Sequence, residues 1–162
     1  MANYTVVGVG QHNKFFDDNS YCDVLNYIFN QEKAVKSGGY YITNSALAAE
    51  EMEQTAIRFG KNSGKRLRHS VLSFRPEENI SPEQAADFAD KIIKHYGREY
   101  QIVYAVHNNT DNLHIHFVMN QISYLDGHRY RGQKKDYYAF QRHMKNVTHL
   151  PIILVKDKPL ED

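Results

Sequence analysis

The amino-acid sequence predicts an α+β fold with a central antiparallel sheet flanked by helices. Three observations carry this. Strand-like and helix-like runs follow one another without strict alternation, which favours an antiparallel over a parallel sheet. Two strand-like runs, Tyr100–Val106 and Ile115–Ile122, are separated only by the polar stretch Asn108–Asn112. A chain of 162 residues, 41% hydrophobic and 24% charged, is about one globular domain, here taken as 1–162.

Each element follows from local pattern. Thr5–Val9 is a short apolar run suited to a strand. Asp17, Asp18, Asn19 and Ser20 offer N-caps, and Tyr21, Val24, Leu25 and Ile28 share one helical face. Ser37-Gly38-Gly39 reads as a chain break. Asn44 or Ser45 can cap a helix over Ala46–Phe59, and Gly60–Gly64 is a polar loop. His69–Phe74 reads as a strand. Ser81-Pro82-Glu83-Gln84 starts a helix with proline in its first turn; Ala85, Phe88, Ala89, Ile92 and Ile93 continue it, and Gly97 ends it. Asp126-Gly127 is a turn, Lys134–Val147 a helix and Ile152–Val155 a last strand.

Composition excludes several classes. No apolar run approaches the roughly 18–20 residues of a membrane span, so no membrane insertion is expected. The N-terminus lacks a basic segment followed by a long apolar one, which argues against a signal peptide. Cys22 is the sole cysteine, which suits a reducing cytosol.

The formal charge is +1, but it is unevenly spread. Arg58–Arg75 carries +6 and Arg129–Lys145 carries +5, so the remainder sums to −10. If both stretches lie on one face, that face binds phosphate; if not, they are solvated surface.

The densest chemistry is His107-Asn-Asn-Thr-Asp-Asn-Leu-His114-Ile-His116. His114 and His116 are two apart on a strand, so both point to one sheet face, while Leu113, Ile115 and Phe117 point to the other. His107 ends the preceding strand and lies beside that pair if the two strands form a hairpin. Three neutral imidazoles on adjacent strands make a facial metal site with open positions. In a chain with nine histidines a lone His-x-His arises by chance about as often as not; the third histidine supplies the specificity.

Tyr104–Asn120 resembles the metal motif of plasmid relaxases (mobilization nucleases) of the HUH endonuclease superfamily. Arg68-His-Ser-Val-Leu-Ser-Phe-Arg-Pro-Glu-Glu78 is similar to the family's second motif, and Asp23-Val-Leu-Asn-Tyr-Ile28 to its first, which holds a nucleophilic tyrosine. Ser123–Tyr130 also matches the region after the metal motif. The motifs stand in family order, and the likeness runs from about residue 20 to 155. One departure is Asn109, where the family has an aspartate that orients the first imidazole; asparagine can accept a hydrogen bond but adds no charge.

The resemblance implies Tyr27 as the nucleophile. Helical geometry agrees: at about 100° per residue Tyr27 lies about 110° from the centre of the apolar stripe, while Tyr21 lies within it. Tyr21, Tyr40 and Tyr41 are the other candidates. The resemblance also implies that His107, His114 and His116 hold a divalent ion. Mg or Mn is expected in the cell, and Zn or Ni fits the same imidazoles in a purified sample. Ser73 is implied as a DNA contact. Arg68, Arg75, Arg129, Arg131, Lys134 and Lys135 are candidate phosphate contacts, with Tyr130 as a base-stacking partner. Asn109 and Asn120 are candidate supporting residues. His69 shares a face with Val71 and Ser73 and reads equally as core or as functional.

The implied activity is nicking of single-stranded DNA at a transfer origin through a 5′-phosphotyrosyl intermediate, in the company of accessory relaxosome proteins and a coupling protein. Three alternatives fit the same residues. One is a DNA-binding module without turnover; another is a metal-dependent hydrolase that uses a bound water. The third is a replication initiator of the same superfamily, against which the motif order and Ser-Phe motif argue.

Overall fold

A computed structural model describes residues 1–8 and 14–156. Strand β1 (Ala2–Val6) opens the chain, followed by α1 (Asn19–Ile28), β2 (Ala34–Tyr40), α2 (Ala48–Arg58) and β3 (Leu67–Phe74). Then come α3 (Pro82–Ile92), the short α4 (Lys94–Gly97), β4 (Ile102–His107), β5 (His114–Asn120), α5 (Lys134–Thr148) and β6 (Ile152–Lys156). The strands form one sheet in the order β2-β4-β5-β3-β1-β6. Pairing is antiparallel from β2 to β1, as expected; only the edge strand β6 runs parallel, beside β1. The parallel edge is an addition to the expected antiparallel sheet with flanking helices. It follows from α5, which carries the chain back so that β6 enters alongside β1 in the same direction, with Ile152 buried.

The helix starts follow side-chain chemistry. The Asp17 carboxylate accepts from the Ser20 amide at the head of α1 (3.1 Å). Asn44 accepts from the Leu47 amide in a 3₁₀ turn that precedes α2. Ser81 and Gln84 form a reciprocal capping box at α3, which satisfies two amide donors that the helix cannot.

Two segments differ most from the sequence expectation. The first strand is Ala2–Val6 rather than Thr5–Val9, and Val9 lies outside the described residues. Ser37-Gly38-Gly39 is no break, because β2 runs through it and pairs with β4. The glycines are there for close approach: a Cβ at Gly38 would sit 2.6 Å from the Tyr104 ring, and one at Gly39 3.0 Å from Val103.

The sheet has a helical layer on each face. On one face, Tyr21, Val24, Leu25 and Ile28 of α1 and Met52 of α2 pack on Leu67, Val103, Ala105 and Val118. On the other, α3 and α5 cover Leu72, Phe74, Tyr104, Ile115, Phe117 and Met119, with Phe140 and Met144 at the centre. Each fully buried side chain of this size is worth about 1.5–3 kcal/mol against exposure. None of the described helices is long and apolar enough to cross a membrane.

Candidate metal centre

The β4–β5 hairpin sets His107 directly opposite His114, and Ala105 opposite His116. The three histidines therefore share the face covered by α1. Their ring centroids lie 4.2 Å (His107–His116), 4.9 Å (His114–His116) and 5.2 Å (His107–His114) apart. One nitrogen from each lies within 4.8 Å of the others, and among the described residues no carboxylate joins the group.

Each imidazole is held through one nitrogen. His107 Nε2 donates to the Ile28 carbonyl (2.7 Å), and His114 Nδ1 to the Asn112 carbonyl (2.9 Å). His116 Nδ1 meets His69 Nε2 at 2.8 Å. With N–H groups spent on the carbonyls, the lone pairs fall on Nδ1 of His107 and Nε2 of His114. His116 Nε2 is buried and has no hydrogen-bond partner. An orphaned buried nitrogen facing two further lone pairs is what a metal ion satisfies, and the outer partners are those that orient ligating histidines. The donor set fits a divalent transition ion and leaves positions open.

Burial favours the neutral form of His107 and His116. It lowers the His107 pKa, with His114 and Lys33 adding to the effect and the Ile28 bond opposing it. Burial, with His69, His107, His114 and Lys33 around it, pushes His116 down to about 2.

Tyr27 stands over this group. It lies on α1, one residue before the carbonyl that holds His107, and is 48% exposed. Its ring meets those of His116, His69 and His107 edge-on at 5.7, 6.3 and 6.3 Å. Tyr21, by contrast, is buried in the core and pushed up to about 12 by burial. Tyr40 pairs with Ile102 at the other end of β4, and Tyr41 stacks on Tyr124.

The remaining candidates divide. Ser73 pairs with His114 across β3–β5, and Arg75 leaves β3 at the same end, exposed. Arg68 does not belong with them: successive strand residues alternate faces, so it lies opposite His69, under α5, with its guanidinium 5.1 Å from the Tyr130 ring centre. Arg129 is spent on structure, donating to the carbonyls of Lys65 (2.7 Å) and Ser63 (2.5 Å). Arg131, Lys134 and Lys135 are exposed before and at the start of α5, which packs on the face away from the histidines. The two basic stretches do meet, through Arg129, but at the β3 end remote from His114. Tyr130 donates to Asp136 beside Tyr96, so it is no free stacking platform.

The supporting asparagines are also reassigned. Asn120 is four residues along β5 from His116, about 13 Å away, and donates to the Met52 carbonyl and to Gln101. It anchors α2. Asn109 lies exposed in the hairpin turn, and the Ile28 carbonyl takes the role of orienting His107. Sequence reading left His69 undecided and overlooked Lys33, whose ammonium sits 4.9 Å over the Tyr27 ring. Alternation puts His69 on one face with Val71 and Ser73, but its pairing with His116 depends on β3 lying beside β5. Lys33 was findable only as a cation six residues after the candidate tyrosine.

Comparison with known proteins gives a consistent answer. A family model described as relaxase, MobA/VirD2-like, nuclease domain matches residues 27–149. The chain is similar to protein TraI of Escherichia coli, 32% identical over 109 residues, covering 63% of this chain and 15% of that one. It is similar to protein MobA of Acidithiobacillus ferrooxidans, 35% identical over 72 residues, covering 44% of this chain and 17% of that one. It is also similar to protein rlx of Staphylococcus aureus, 30% identical over 88 residues, covering 54% and 26%. The chain thus spans about a quarter or less of the length of these curated relatives. A solved structure described as "Molecular Basis of Vancomycin Resistance Transfer in Staphylococcus aureus" shares the fold, with a TM-score of 0.55 at 10% identity over 98% of this chain and 97% of that one.

Proposed function

This chain belongs to the MobA/VirD2-like relaxase nuclease family, and on that premise we propose that it is a metal-dependent, site-specific nickase and strand transferase. Its substrate is single-stranded DNA at the transfer origin of a mobile element. The reading is carried by one observation: the ring of the half-exposed Tyr27 lies 5.7 Å from that of His116, whose buried Nε2 has no partner.

The chain's own residues supply positioning and exclusion. α1 sets the Tyr27 ring beside His107 and His116 and holds His107 through the next carbonyl. Tyr27 Oη attacks the scissile phosphorus in line, the bond to the 3′-oxygen breaks, and that oxygen takes up a proton. The phenol proton leaves to solvent. The product is a 5′-phosphotyrosyl link and a free 3′-hydroxyl; since one phosphoester replaces another, the strand can be rejoined without a nucleotide cofactor. His107, His114 and His116 would hold a divalent ion, which would supply Lewis-acid neutralisation of the phosphate charge. Ser73 and Arg75, at the His114 end of the sheet, are the DNA contacts retained from the sequence.

Intact mass tests this after mixing the protein, Mn²⁺ and single-stranded DNA from its element's transfer-origin region. A DNA-sized increase that is absent in Tyr27→Phe is expected. Adduct surviving in Tyr27→Phe moves the nucleophile elsewhere. Cleavage without adduct points to a water nucleophile, and binding without either to a non-catalytic module.

A further inference from the structure

We propose that Lys33 is a phosphate-binding residue of this site and that it makes metal and DNA binding mutually dependent. The inference rests on the nuclease reading above and adds a residue and a coupling that it lacks.

Lys33 sits in the turn between α1 and β2. The turn is tied by Asn30: its carbonyl accepts from the Lys33 and Ala34 amides (3.0 and 2.8 Å), and its side chain from the Glu32 amide (2.9 Å). The next residue, Ala34, pairs with His107 across β2–β4. The half-buried Lys33 side chain returns over Tyr27, with Nζ 4.9 Å from the ring centre. Among the described residues no carboxylate lies within ion-pair distance of it.

The electrostatic consequence is specific. The three imidazoles are neutral donors with no carboxylate among them. A divalent ion there, together with Lys33, makes a centre of about three positive charges, with no carboxylate of the described residues among the ligands or paired to Lys33. Lys33 alone therefore repels the ion. A phosphodiester lying between Tyr27, the histidines and the ammonium neutralises both cations. Each then binds more tightly when the other is present, and by linkage the two enhancements are equal. A lysine suits this role because it is a mobile point charge on a flexible stem, able to move from the ring face to a phosphate oxygen.

The test measures Mn²⁺ affinity with and without a single-stranded oligonucleotide spanning the element's transfer origin, and DNA affinity with and without Mn²⁺. Both use the Tyr27→Phe background, which prevents covalent turnover. Each ligand should strengthen the other by about tenfold. Adding Lys33→Gln should weaken DNA binding about tenfold, the loss of one charge-assisted bond. It should leave Mn²⁺ affinity without DNA unchanged or up to about threefold tighter, and it should shrink the coupling. Lys33→Arg should restore most of the DNA affinity.

A loss of DNA affinity without any loss of metal affinity is what a packing role does not produce. A Lys33→Gln variant that weakens both equally, or that binds DNA as tightly as its parent, overturns the proposal. If the wild type forms a Tyr27 adduct yet Lys33→Gln behaves as its parent, this inference fails and the nuclease reading stands. If Mn²⁺ binding survives His114→Ala, or no adduct forms, the nuclease reading fails and takes this inference with it.

Discussion

On the face of the sheet covered by α1 and α2, His69, His107, His114 and His116 crowd together, with neighbouring ring centres 4.2–5.2 Å apart. On the opposite face, His95 and His143 are just as close to each other, at 5.2 Å. Proximity is thus not what separates a metal centre from core packing. His95 lies against Tyr96 and Phe140 at 4.8 and 5.3 Å, and His143 donates to the Lys91 carbonyl. On the first face each ring is pinned through one nitrogen, and the nitrogen left over on His116 is buried and unpartnered. The lesson is that orphaned lone pairs with fixed outer partners, rather than clustered histidines, mark the site.

The largest test of that contrast is His116→Ala. It should lower Mn²⁺ affinity by more than about a hundredfold and abolish adduct formation, whereas His95→Phe on the other face should leave both unchanged. Calorimetric titration with Mn²⁺ reads the first effect and intact mass the second. If His95→Phe lost metal as readily, the division between the faces would collapse.

Next in size is the core of the second face. Phe140 is buried against Tyr4, Tyr96 and Phe117. Phe140→Ala should cost about 3–5 kcal/mol in urea unfolding, while Tyr27→Phe should change stability by no more than about 0.5 kcal/mol. One face would then carry stability without chemistry, and the exposed tyrosine on the other chemistry without stability.

A smaller effect belongs to His69. Removing its hydrogen bond with His69→Phe should weaken Mn²⁺ binding about tenfold, because His116 loses the partner that fixes its tautomer and ring angle. His69→Gln, which keeps an acceptor, should recover part of the loss. Equal affinity in both variants would mean that His116 is positioned by packing alone.

How much of this was legible in the sequence depends on the range of the interaction. The period of two put His114 and His116 on one face without any knowledge of neighbours, and the period of 3.6 separated exposed Tyr27 from buried Tyr21. Both are local rules. Pairing between distant strands was invisible. It turned Ser37-Gly38-Gly39 from a break into an edge strand, brought His69 to His116, and put Ser73 beside His114. The same blindness explains the arginines. Charge counted along the chain cannot say that Arg68 points to the opposite face or that Arg129 is consumed by the loop it clasps. Asn120 kept the right face but lay too far along β5, under α2.

The smallest expected effect concerns acid stability of the second face. Burial, with His143 beside it, lowers the His95 pKa, and Asp136 only partly opposes this. The sign follows from linkage. A histidine whose folded pKa lies below its unfolded value binds fewer protons when folded as pH falls through the ordinary histidine range near ~6.5. The unfolded chain takes up that proton first, so the stability contribution is full above that range and is lost as pH drops below it. Metal-free protein should therefore melt at a lower temperature at pH 5 than at pH 7.5, and His95→Phe should lose less over the same interval. Thermal melts in EDTA at the two pH values read the difference. Because His107 and His116 are lowered by burial as well, His95→Phe should reduce the acid loss without removing it. If it removed all of the loss, the buried imidazoles of the candidate metal centre would have to be protonated as readily in the folded chain as in the unfolded one, and the neutral, lone-pair-bearing state that the metal requires would no longer be a property of the fold.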